Sequence, residues 1–432
     1  MHNLFKAKKI YVPHWKNTVN SQTEEIPIRT HIHLMLSQNI GTPCEPVVSV
    51  GDMVYVGQIV AKSSALVSVP IHASTSGVVE SVDTQKIVIK SDGKQTIDPS
   101  IKPPVVRCKE DFIEVVKQSG LVGLGGAGFP TYAKLNVKDR GRTDTLIVNA
   151  AECEPFVTSD TREIIENAVD VLDGICVLQK CLAVTSVMIG IEVHNKEAIS
   201  ILRSMISKNS VYENIQVIAL PAKYPQGAEK ILIESCTQRV VPLGKLPGDI
   251  GVIVLNVSSV GFLGRYFKTG MPLITRRLTV DGDAIKTPKN VCAPIGTLVK
   301  DLVEFCDGYQ LPPAKILLGG PMMGTPLASD EVPITKRSNA VTIFSQKQAA
   351  QHKEIACIRC ARCADACPVS IMPVLIDQNV RLKNMQGLRT LSVNACIDCG
   401  LCSFVCPSNR TLIQNVRVGK ELLYELREGG HA

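Results

Sequence analysis

Two cysteine runs near the C-terminal end constrain this chain more than any other feature. Residues 357–368 are CIRCARCADACP and residues 396–407 are CIDCGLCSFVCP, so the spacing C-x2-C-x2-C-x3-C-P occurs twice. This spacing is associated with [4Fe–4S] clusters. Three closely spaced thiolates ligate three corners of a cubane, and the proline turns the chain so that the fourth sulfur points elsewhere. The repeat therefore predicts two one-electron carriers.

The fourth cysteine of each run is expected to serve the other cluster, as in two-cluster ferredoxins. The first predicted ligand set is Cys357, Cys360, Cys363 and Cys406, and the second is Cys396, Cys399, Cys402 and Cys367. The alternatives are structural zinc sites and buried free thiols. Zinc sites use cysteines in pairs such as C-x2-C, and a third cysteine in the same run is surplus to them. Residues 369–395, between the runs, have helix-like periodicity, so we expect a helical domain.

The remaining cysteines do not suggest a disulfide framework. The chain has 432 residues and 16 cysteines, and eight of the cysteines are scattered. Disulfide frameworks belong to small secreted chains, whereas Met1–Lys9 lead into polar residues and predict no signal peptide. The most apolar window, residues 168–193, is interrupted by charged residues, and a spanning helix needs about 20 mostly apolar residues. We expect a cytoplasmic protein, free or peripheral on the cytoplasmic face of the cell membrane.

The charge pattern argues against nucleic acid as a partner. The net charge is +7 and no block of five or six like charges appears. Such a spread favours, at most, weak attraction to an acidic partner or an anionic membrane surface.

The N-terminal part of the chain predicts a small all-β module. In residues 45–82, short β-branched stretches alternate with glycines, and the pattern resembles the barrel-sandwich hybrid of biotinyl and lipoyl carriers. Lys62 lies in AKSSA without the flanking methionines of a modified lysine, which favours docking or scaffolding over covalent carriage. We interpret His31, His33 and His72 as hydrogen-bonded structural residues rather than metal ligands.

A glycine-rich run, GLVGLGGAGFPTYAKL at residues 120–135, contains the spacing G-x-G-x-x-G. A Rossmann fingerprint follows a strand and opens a helix. Here Phe112, Val115 and Val116 fall at helical spacing before the run, and Phe129-Pro130 would interrupt a helix that opens from the last glycine. The sequence therefore predicts that this is not a Rossmann turn.

The same run keeps features of an anion site. Glycines let the backbone approach a ligand closely, and successive N–H groups can form an anion nest. Lys134 adds a point charge suited to a phosphate. The alternative is a glycine-rich corner without a ligand.

Downstream, residues 145–160 are TLIVNAAECEPFVTSD. The strand Leu146–Val148 would deliver Asn149, Glu152 and Glu154 at its carboxyl end, where α/β sheets place ligand-binding groups. Amides and carboxylates there suit the hydroxyls of a flavin ribityl chain or a nucleotide ribose. The alternative is a polar loop that caps the next helix through Thr158 and Asp160.

These stretches carry a resemblance to known families. GLGGAGFPTYAKL with NAAECEP resembles the flavin-binding fold of the NADH-oxidising flavoprotein subunit of complex I. The chain from roughly residue 30 to 415 resembles the RnfC family, whose members are subunits of the Rnf electron-transport complex. YPQGAEK (224–230), GGPMMG (319–324) and PITK (333–336) also look like family segments.

The resemblance implies a multidomain α/β chain with small β modules. The implied order is an N-terminal extension (1–28), a barrel-sandwich hybrid (29–105), an FMN/NADH-binding α/β domain (106–270), a β-grasp (SLBB) domain (271–340) and a helical ferredoxin-like domain with two [4Fe–4S] clusters (341–432). The β-grasp domain is expected to have short strands around one helix, Leu298–Cys306, and to be a packing scaffold rather than a ligand site.

The resemblance also implies the site residues for FMN and NADH. The glycines that would cradle the phosphate side of FMN, with Lys134 close by, are Gly123, Gly125, Gly126 and Gly128. Asn149 and Glu152 would hold the ribityl chain and ring, Glu154 the nicotinamide-side ribose, and Phe129 would stack on the nicotinamide or adenine. The opposite wall of the pocket would be formed by Gly227, Glu229 and Asn256.

The implied function is an NADH-dependent flavo-iron–sulfur oxidoreductase subunit. FMN takes a hydride, and the clusters pass single electrons to partners, either membrane Rnf subunits or ferredoxin. Two rivals stay open: an electron donor to another reductase, of the proline reductase or cobalamin reductase type, and an iron–sulfur adaptor without flavin. Ala151, Ala228 and Leu255 depart from the complex I pattern, and residues 9–14 depart from the usual entry of Rnf subunits. If flavin binds, Asn149, Glu152 and Glu229 should converge on the glycine loop.

Overall fold

The computed structural model of the chain describes residues 9–136, 143–350 and 353–428. Within these residues the strands form four sheets, and the four parts predicted from the sequence follow one another in the expected order. No helix in the described part of the chain is long and apolar enough to cross a membrane.

The N-terminal strands are short and mostly antiparallel. They are β1 (Thr23–Glu25), β2 (His31–Met35), β3 (Glu45–Pro46), β4 (Met53–Val54), β5 (Ile59–Lys62), β6 (Ile71–His72), β7 (Gly77–Val82) and β8 (Lys86–Ser91). The order β2-β8-β7-β4 makes one sheet and β3-β5-β6 a second. Ile32 and Leu34 alternate inward along β2, as a strand with one buried face requires. The predicted all-β module is confirmed.

The central domain has a four-stranded parallel sheet in the order β11-β10-β9-β12. Its elements are α1 (Lys109–Gln118), α2 (Thr131–Leu135), β9 (Thr145–Ala150), α3 (Ser159–Leu182), β10 (Ser186–Glu192), α4 (Lys196–Lys208), β11 (Ile215–Leu220), α5 (Glu229–Thr237), β12 (Val252–Asn256) and α6 (Val257–Thr269). Short 3-10 turns lie at Ser210–Tyr212 and Pro247–Ile250. Strand β9 is almost wholly buried, because helices cover both faces of a parallel sheet.

Helices α3 and α6 approach each other unusually closely. A Cβ atom on Gly174 would lie 2.0 Å from the carbonyl oxygen of Val260, and one on Gly264 would lie 2.0 Å from that of Asp170. Only glycine permits this backbone contact. The contact fixes the first turns of both helices at the carboxyl edge of the sheet.

The β-grasp domain is built on a mixed sheet in the order β1-β14-β13-β17-β15-β16. Its remaining elements are β13 (Thr275–Asp281), β14 (Lys289–Pro294), α7 (Val299–Phe305), β15 (Pro313–Leu318), β16 (Thr325–Leu327) and β17 (Ala340–Ser345). The single predicted helix is confirmed as α7. Strand β1 pairs in parallel with β14, so part of the predicted N-terminal extension is an edge strand of this sheet.

The C-terminal domain is helical, as predicted. It contains α8 (Arg362–Asp365), α9 (Pro373–Arg381), α10 (Met385–Thr390), a 3-10 turn (Val393–Ala395), α11 (Leu401–Phe404) and α12 (Leu412–Glu428). Ile376, Leu388 and Val416 form its core. Asp377, fully buried, accepts hydrogen bonds from Arg381 and Arg410 and joins α9 to the loop before α12.

Candidate functional site

The glycine loop follows a helix, as the sequence predicted. Helix α1 ends at Gln118, and Gly120 then adopts a left-handed conformation with φ of +71°. The Gly123 N–H donates to the Phe129 carbonyl at 2.8 Å, and the Gly128 N–H donates to the Gly123 carbonyl at 3.2 Å. The run is thus a closed loop between two helices, which confirms the rejection of a Rossmann turn.

The loop is anchored against the start of α6. The Leu124 N–H donates to Ser259 Oγ at 3.0 Å, and Arg276 donates to the Leu124 carbonyl at 2.8 Å. A Cβ atom on Gly125 would lie 3.1 Å from Asn256 Nδ2. Because a helix N-terminus carries free N–H groups and a partial positive charge, the loop sits where an anion is favoured.

One side of the loop is open. A Cβ atom added to Gly126 would meet no atom within 4 Å, and the side chain of Phe129 is 38% exposed. The loop therefore has free space on the side of Gly126 and a partly exposed aromatic ring at its end. A ligand has room to approach the backbone there.

Lys134 and Glu229 form an ion pair across this region. Lys134 lies on α2, Glu229 is the first residue of α5, and both side chains are about one-third exposed. Two predicted site residues from distant parts of the chain are thus brought together. The Lys134 ammonium is neutralised by a carboxylate in the structure, so a phosphate would compete with Glu229 for it.

Asn149 ends in contact with the segment before α5. Its Nδ2 donates to the Gly227 carbonyl at 2.8 Å. A Cβ atom on Gly227 would lie 2.3 Å from the carbonyl oxygen of Ala151, so this close approach requires glycine. Asn149 and Gly227, predicted to line one pocket, are neighbours.

Glu152 has a different position from the one expected. Its carboxylate accepts hydrogen bonds from the N–H groups of Asp160 (2.8 Å) and Thr161 (3.2 Å) and from the Thr161 hydroxyl (2.9 Å). It therefore caps α3. The expectation that Thr158 would provide this cap is wrong, since the Thr158 hydroxyl bonds Asn290 and makes no cap. A role for Glu152 at the ribityl chain stays a prediction, and the structure uses both its oxygens elsewhere.

Glu154 is turned toward the GGPMMG segment. Its carboxylate accepts from the N–H groups of Met322 (3.1 Å) and Met323 (2.8 Å), and burial raises its pKa to about 7. Its predicted contact with the nicotinamide-side ribose is not visible in these bonds and stays a prediction. The side chain instead joins the central domain to the β-grasp domain.

Asn256 links the two helix starts beside the loop. Its Oδ1 accepts from the Ser258 N–H and caps α6, while its Nδ2 donates to Asp160 at 2.6 Å. Ser258 Oγ also donates to Asp160 at 2.6 Å. Burial is the main cause that raises the pKa of Asp160 to about 7. The predicted residue Asn256 therefore does lie at the glycine loop.

Two polar residues at this edge were not singled out from the sequence. Lys16 donates to the carbonyls of Glu152 (2.8 Å), Glu154 (2.9 Å) and Val157 (2.5 Å), and so fixes the loop after β9. Glu192 ends β10 and is fully buried. The signal for Glu192 was present, because an apolar strand, SVMIGIE, delivers a carboxylate at its carboxyl end as β9 delivers Asn149. Lys16 has no comparable local signal.

The eight clustered cysteines line two cavities. A cavity of about 390 Å³ is lined by Cys357, Cys360, Cys363 and Cys406, here called the outer set. A second, smaller cavity is lined by Cys367, Cys396, Cys399 and Cys402, here called the inner set. Each set combines three cysteines of one run with the fourth of the other, the grouping predicted from the spacing. Four converging thiols around a cavity fit a [4Fe–4S] cluster.

The two runs also share backbone conformation. Arg359 and Ala361 in the first run have φ near +60°, and Asp398 and Gly400 in the second have φ of +56° and +75°. In each run an N–H donates to the first cysteine sulfur at 3.4 Å, from Arg359 to Cys357 and from Asp398 to Cys396. The same spacing therefore gives the same loop.

The inner set lies against the central domain. Cys399 packs with Cys153, Tyr224 and Val12 in one apolar cluster. Tyr224 donates its hydroxyl to the Cys399 carbonyl at 2.8 Å, and Cys153 Sγ accepts from the Gly227 N–H at 3.4 Å. A short chain of contacts thus connects the pocket around Asn149 and Gly227 to the inner set.

Family models match four successive segments of the chain. They are described as RnfC barrel sandwich hybrid domain (residues 7–98), Nuo51 FMN-binding domain (116–263), SLBB domain (277–326) and 4Fe-4S dicluster domain (349–407). These matches confirm the predicted fold class.

Curated relatives match over most of their length. The chain is 40% identical to the C-type subunit of the proton-translocating ferredoxin:NAD(+) oxidoreductase complex of Clostridium ljungdahlii, over 84% of this chain and 81% of that protein. It is 36% identical to the C-type subunit of the Na(+)-translocating ferredoxin:NAD(+) oxidoreductase complex of Acetobacterium woodii, over 99% of each. The chain belongs to the RnfC family. The corresponding subunit of an ion-translocating oxidoreductase complex of Rhodobacter capsulatus is 33% identical over 96% of this chain and 82% of its own length.

A solved structure supports the fold. A chain of an NAD+-reducing [NiFe]-hydrogenase in the air-oxidised state superposes with a TM-score of 0.52 at 17% identity, over 75% of this chain and 67% of that one. For this RnfC family member, the likeness concerns the fold.

The FMN-binding domain model covers the glycine loop and the residues gathered around it, Lys134, Asn149, Gly227 and Asn256. The open face at Gly126, the α6 N-terminus and the cradle that a Cβ on Gly227 would fill suit a flavin phosphate and its polar chain. The 4Fe-4S dicluster model covers both cysteine runs. The residues present therefore fit FMN and two [4Fe–4S] clusters.

Proposed function

We propose that this chain carries electrons between NAD(H) and a protein partner, using FMN at the glycine loop and two [4Fe–4S] clusters at the inner and outer cysteine sets. When bound, FMN exchanges a hydride with the nicotinamide and the clusters exchange single electrons. The observation that carries the proposal is the contact between the pocket and the inner set through Cys153 and Tyr224.

The assignment of residues follows the contacts. The backbone of Gly123, Gly125, Gly126 and Gly128 would hold the FMN phosphate with the N-terminus of α6, and Lys134 would leave Glu229 to share the charge. Asn149, Gly227 and Asn256 would line the polar chain and ring. Glu152 and Glu154 act as positioning residues, because their carboxylates already bind backbone N–H groups.

The order of the two sets follows from their surroundings. Cys399 and Cys402 of the inner set are buried, and Cys399 touches the central domain. Cys360 of the outer set is exposed, as are the neighbouring Ile358, Arg359 and Arg362. The inner set would therefore exchange electrons with the flavin and the outer set with the partner. The side chains of Arg359 and Arg362 would favour an acidic partner surface.

The partners proposed are the other subunits of an Rnf complex, with ferredoxin at the far end of the electron path. The relatives are subunits of ferredoxin:NAD(+) oxidoreductase complexes, which supports this choice. We place the chain at the cytoplasmic face of the membrane as a peripheral subunit.

The proposal is tested by anaerobic purification followed by NADH titration. The expected result is a flavin absorbance band that bleaches with NADH, followed by cluster reduction. The control is Cys181→Ser, a cysteine on α3 outside both sets, which should leave both responses unchanged. Full iron and sulfide content without flavin and without any response to NADH would contradict the proposal and leave an iron–sulfur adaptor.

A further inference from the structure

Three potential metal ligands meet at the carboxyl end of β10, apart from both cysteine sets. They are His14 from the N-terminal segment, Glu192 at the end of β10, and His194 two residues later. One ligand atom from each lies within 4.8 Å of those of the other two. The imidazole ring centroids of His14 and His194 are 4.8 Å apart.

The polar atoms that face this point are unpartnered. The Glu192 side chain is 0% exposed, and within the described residues neither of its oxygens has a hydrogen-bond partner. The two ring nitrogens of His14 are buried and also lack one there, since the Ala222 carbonyl faces the ring without a bond of normal geometry. Buried polar groups are almost always paired, so three unpaired ones at one place indicate a missing partner.

The nearest cation does not supply that partner. Lys16 lies close enough to lower the pKa of Glu192, opposing the burial that raises it to about 7. However, the Lys16 ammonium donates to three carbonyls, those of Glu152, Glu154 and Val157, and so uses its three donors. A buried carboxylate between two imidazoles remains without a positive group bonded to it.

We propose that His14, Glu192 and His194 bind one divalent transition-metal ion of the zinc class, in addition to the iron of the clusters. Two imidazoles and one carboxylate are an ordinary zinc ligand set that leaves a fourth position for water. Tetrahedral ligands at about 2.1 Å lie about 3.4 Å from one another, so the three side chains must close by about 1.4 Å. The His194 side chain is 31% exposed, which gives it freedom to rotate and gives the ion a path from solvent.

The chemistry of the ligands suits a metal. Metal-binding imidazoles must be neutral, and burial lowers the pKa of both rings, that of His194 to about 4. The ion would tie the N-terminal segment, already paired to Tyr224 at Ile10, to the sheet edge beside Asn149. It would thereby hold one wall of the pocket in place.

The test uses the anaerobically purified holoprotein with Zn²⁺ as the probe. Equilibrium dialysis with metal analysis should show one zinc per chain beyond the iron. X-ray absorption at the zinc edge should show nitrogen and oxygen neighbours at about 2.0–2.1 Å and none at the zinc–sulfur distance of about 2.3 Å. Glu192→Gln and His194→Asn should each weaken zinc binding at least about tenfold. The matched control is His31→Ala, a histidine paired with Glu80 on the surface, which should leave zinc binding unchanged.

Sulfur neighbours would overturn the proposal, because zinc would then occupy cluster cysteines or Cys153. Zinc uptake that is unaffected by Glu192→Gln and His194→Asn would overturn it too, as would no uptake at all. Iron and flavin content report whether each variant is folded. If Glu192→Gln loses iron, His194→Asn decides, because its partly exposed side chain makes few packing contacts.

Discussion

The two cysteine runs have the same spacing and the same backbone conformation but different surroundings. The outer set has an exposed cysteine, Cys360, and lies beside exposed residues such as Ile358 and Arg359. The inner set has Cys399 in the apolar cluster that includes Cys153 and Tyr224. A repeated motif therefore gives two equivalent sites, and the packing of the rest of the chain makes one an internal relay and the other an exit.

The largest effect that would break this comparison comes from removing one ligand of each set. In Cys402→Ser we expect loss of reduction of the outer cluster by NADH, because the relay is interrupted. In Cys360→Ser we expect loss of transfer to the partner while the inner cluster is still reduced. Reduction of ferricyanide at the flavin should persist in both and serves as the control. Equal behaviour of the two variants toward NADH would contradict different roles.

A second prediction concerns the loop at the start of the electron path. Gly128 has φ of +71°, and a Cβ there would lie 2.4 Å from Arg337 Cγ. Gly128→Ala should weaken FMN binding about tenfold, since backbone strain of this kind costs about 1–3 kcal/mol. FMN affinity is measured by fluorescence after reversible flavin removal. The matched control is Gly93→Ala, which has the same φ of +71° in open space in the N-terminal module and should leave FMN affinity unchanged.

A third prediction uses pH at the junction between the central and β-grasp domains. Burial raises the pKa of Glu154 from 4.5 to about 7. Between these values the folded state holds the proton and the unfolded state releases it. The free energy of unfolding therefore falls as pH rises from about 4.5 to 7, and the loss persists at higher pH. Glu154→Gln should reduce this loss by about 1–3 kcal/mol, measured by denaturant unfolding at pH 5 and pH 8.

The control for this experiment is Glu110→Gln, which changes an exposed glutamate in the first turn of α1. It should leave the pH dependence as it is in the unmodified chain. The same pH dependence in Glu154→Gln and the unmodified chain would show that Glu154 titrates normally.

The smallest effect is expected from the hydroxyl that joins Tyr224 to the inner set. Tyr224→Phe removes a buried hydrogen bond to the Cys399 carbonyl and should cost about 1 kcal/mol of stability. Thermal melting measures the cost, and NADH reduction of the inner cluster should slow in parallel. Tyr309→Phe removes a comparable bond, to Asp330 in the β-grasp domain, and should not change that rate. A rate that is unaffected in both variants would remove Tyr224 from the electron path.

The parts of the molecule that the sequence predicted are those fixed by local spacing. The cysteine spacing predicted how the eight thiols divide between two cavities, because three ligands of each set lie within seven residues of chain. The helix before the glycine loop followed from Phe112, Val115 and Val116. The strand β9 and its terminal Asn149 followed from one apolar run.

What could not be predicted depends on contacts between distant segments. Glu152 follows the same strand as Asn149, yet it caps α3, because the loop after β9 is held by Lys16 from the N-terminal segment. Glu154 binds Met322 and Met323, which lie more than 160 residues later. Strand β1 pairs with β14 across an even longer separation. No periodicity or motif in one segment specifies these partners.

The most direct test of the proposed electron path is rapid-freeze EPR of Cys360→Ser and Cys402→Ser after mixing with NADH. The proposal predicts that Cys360→Ser shows a reduced inner cluster within one turnover, whereas the outer cluster of Cys402→Ser stays oxidised. Reduction of the outer cluster in Cys402→Ser at the rate seen in the unmodified chain would contradict the assignment of the inner set as the relay.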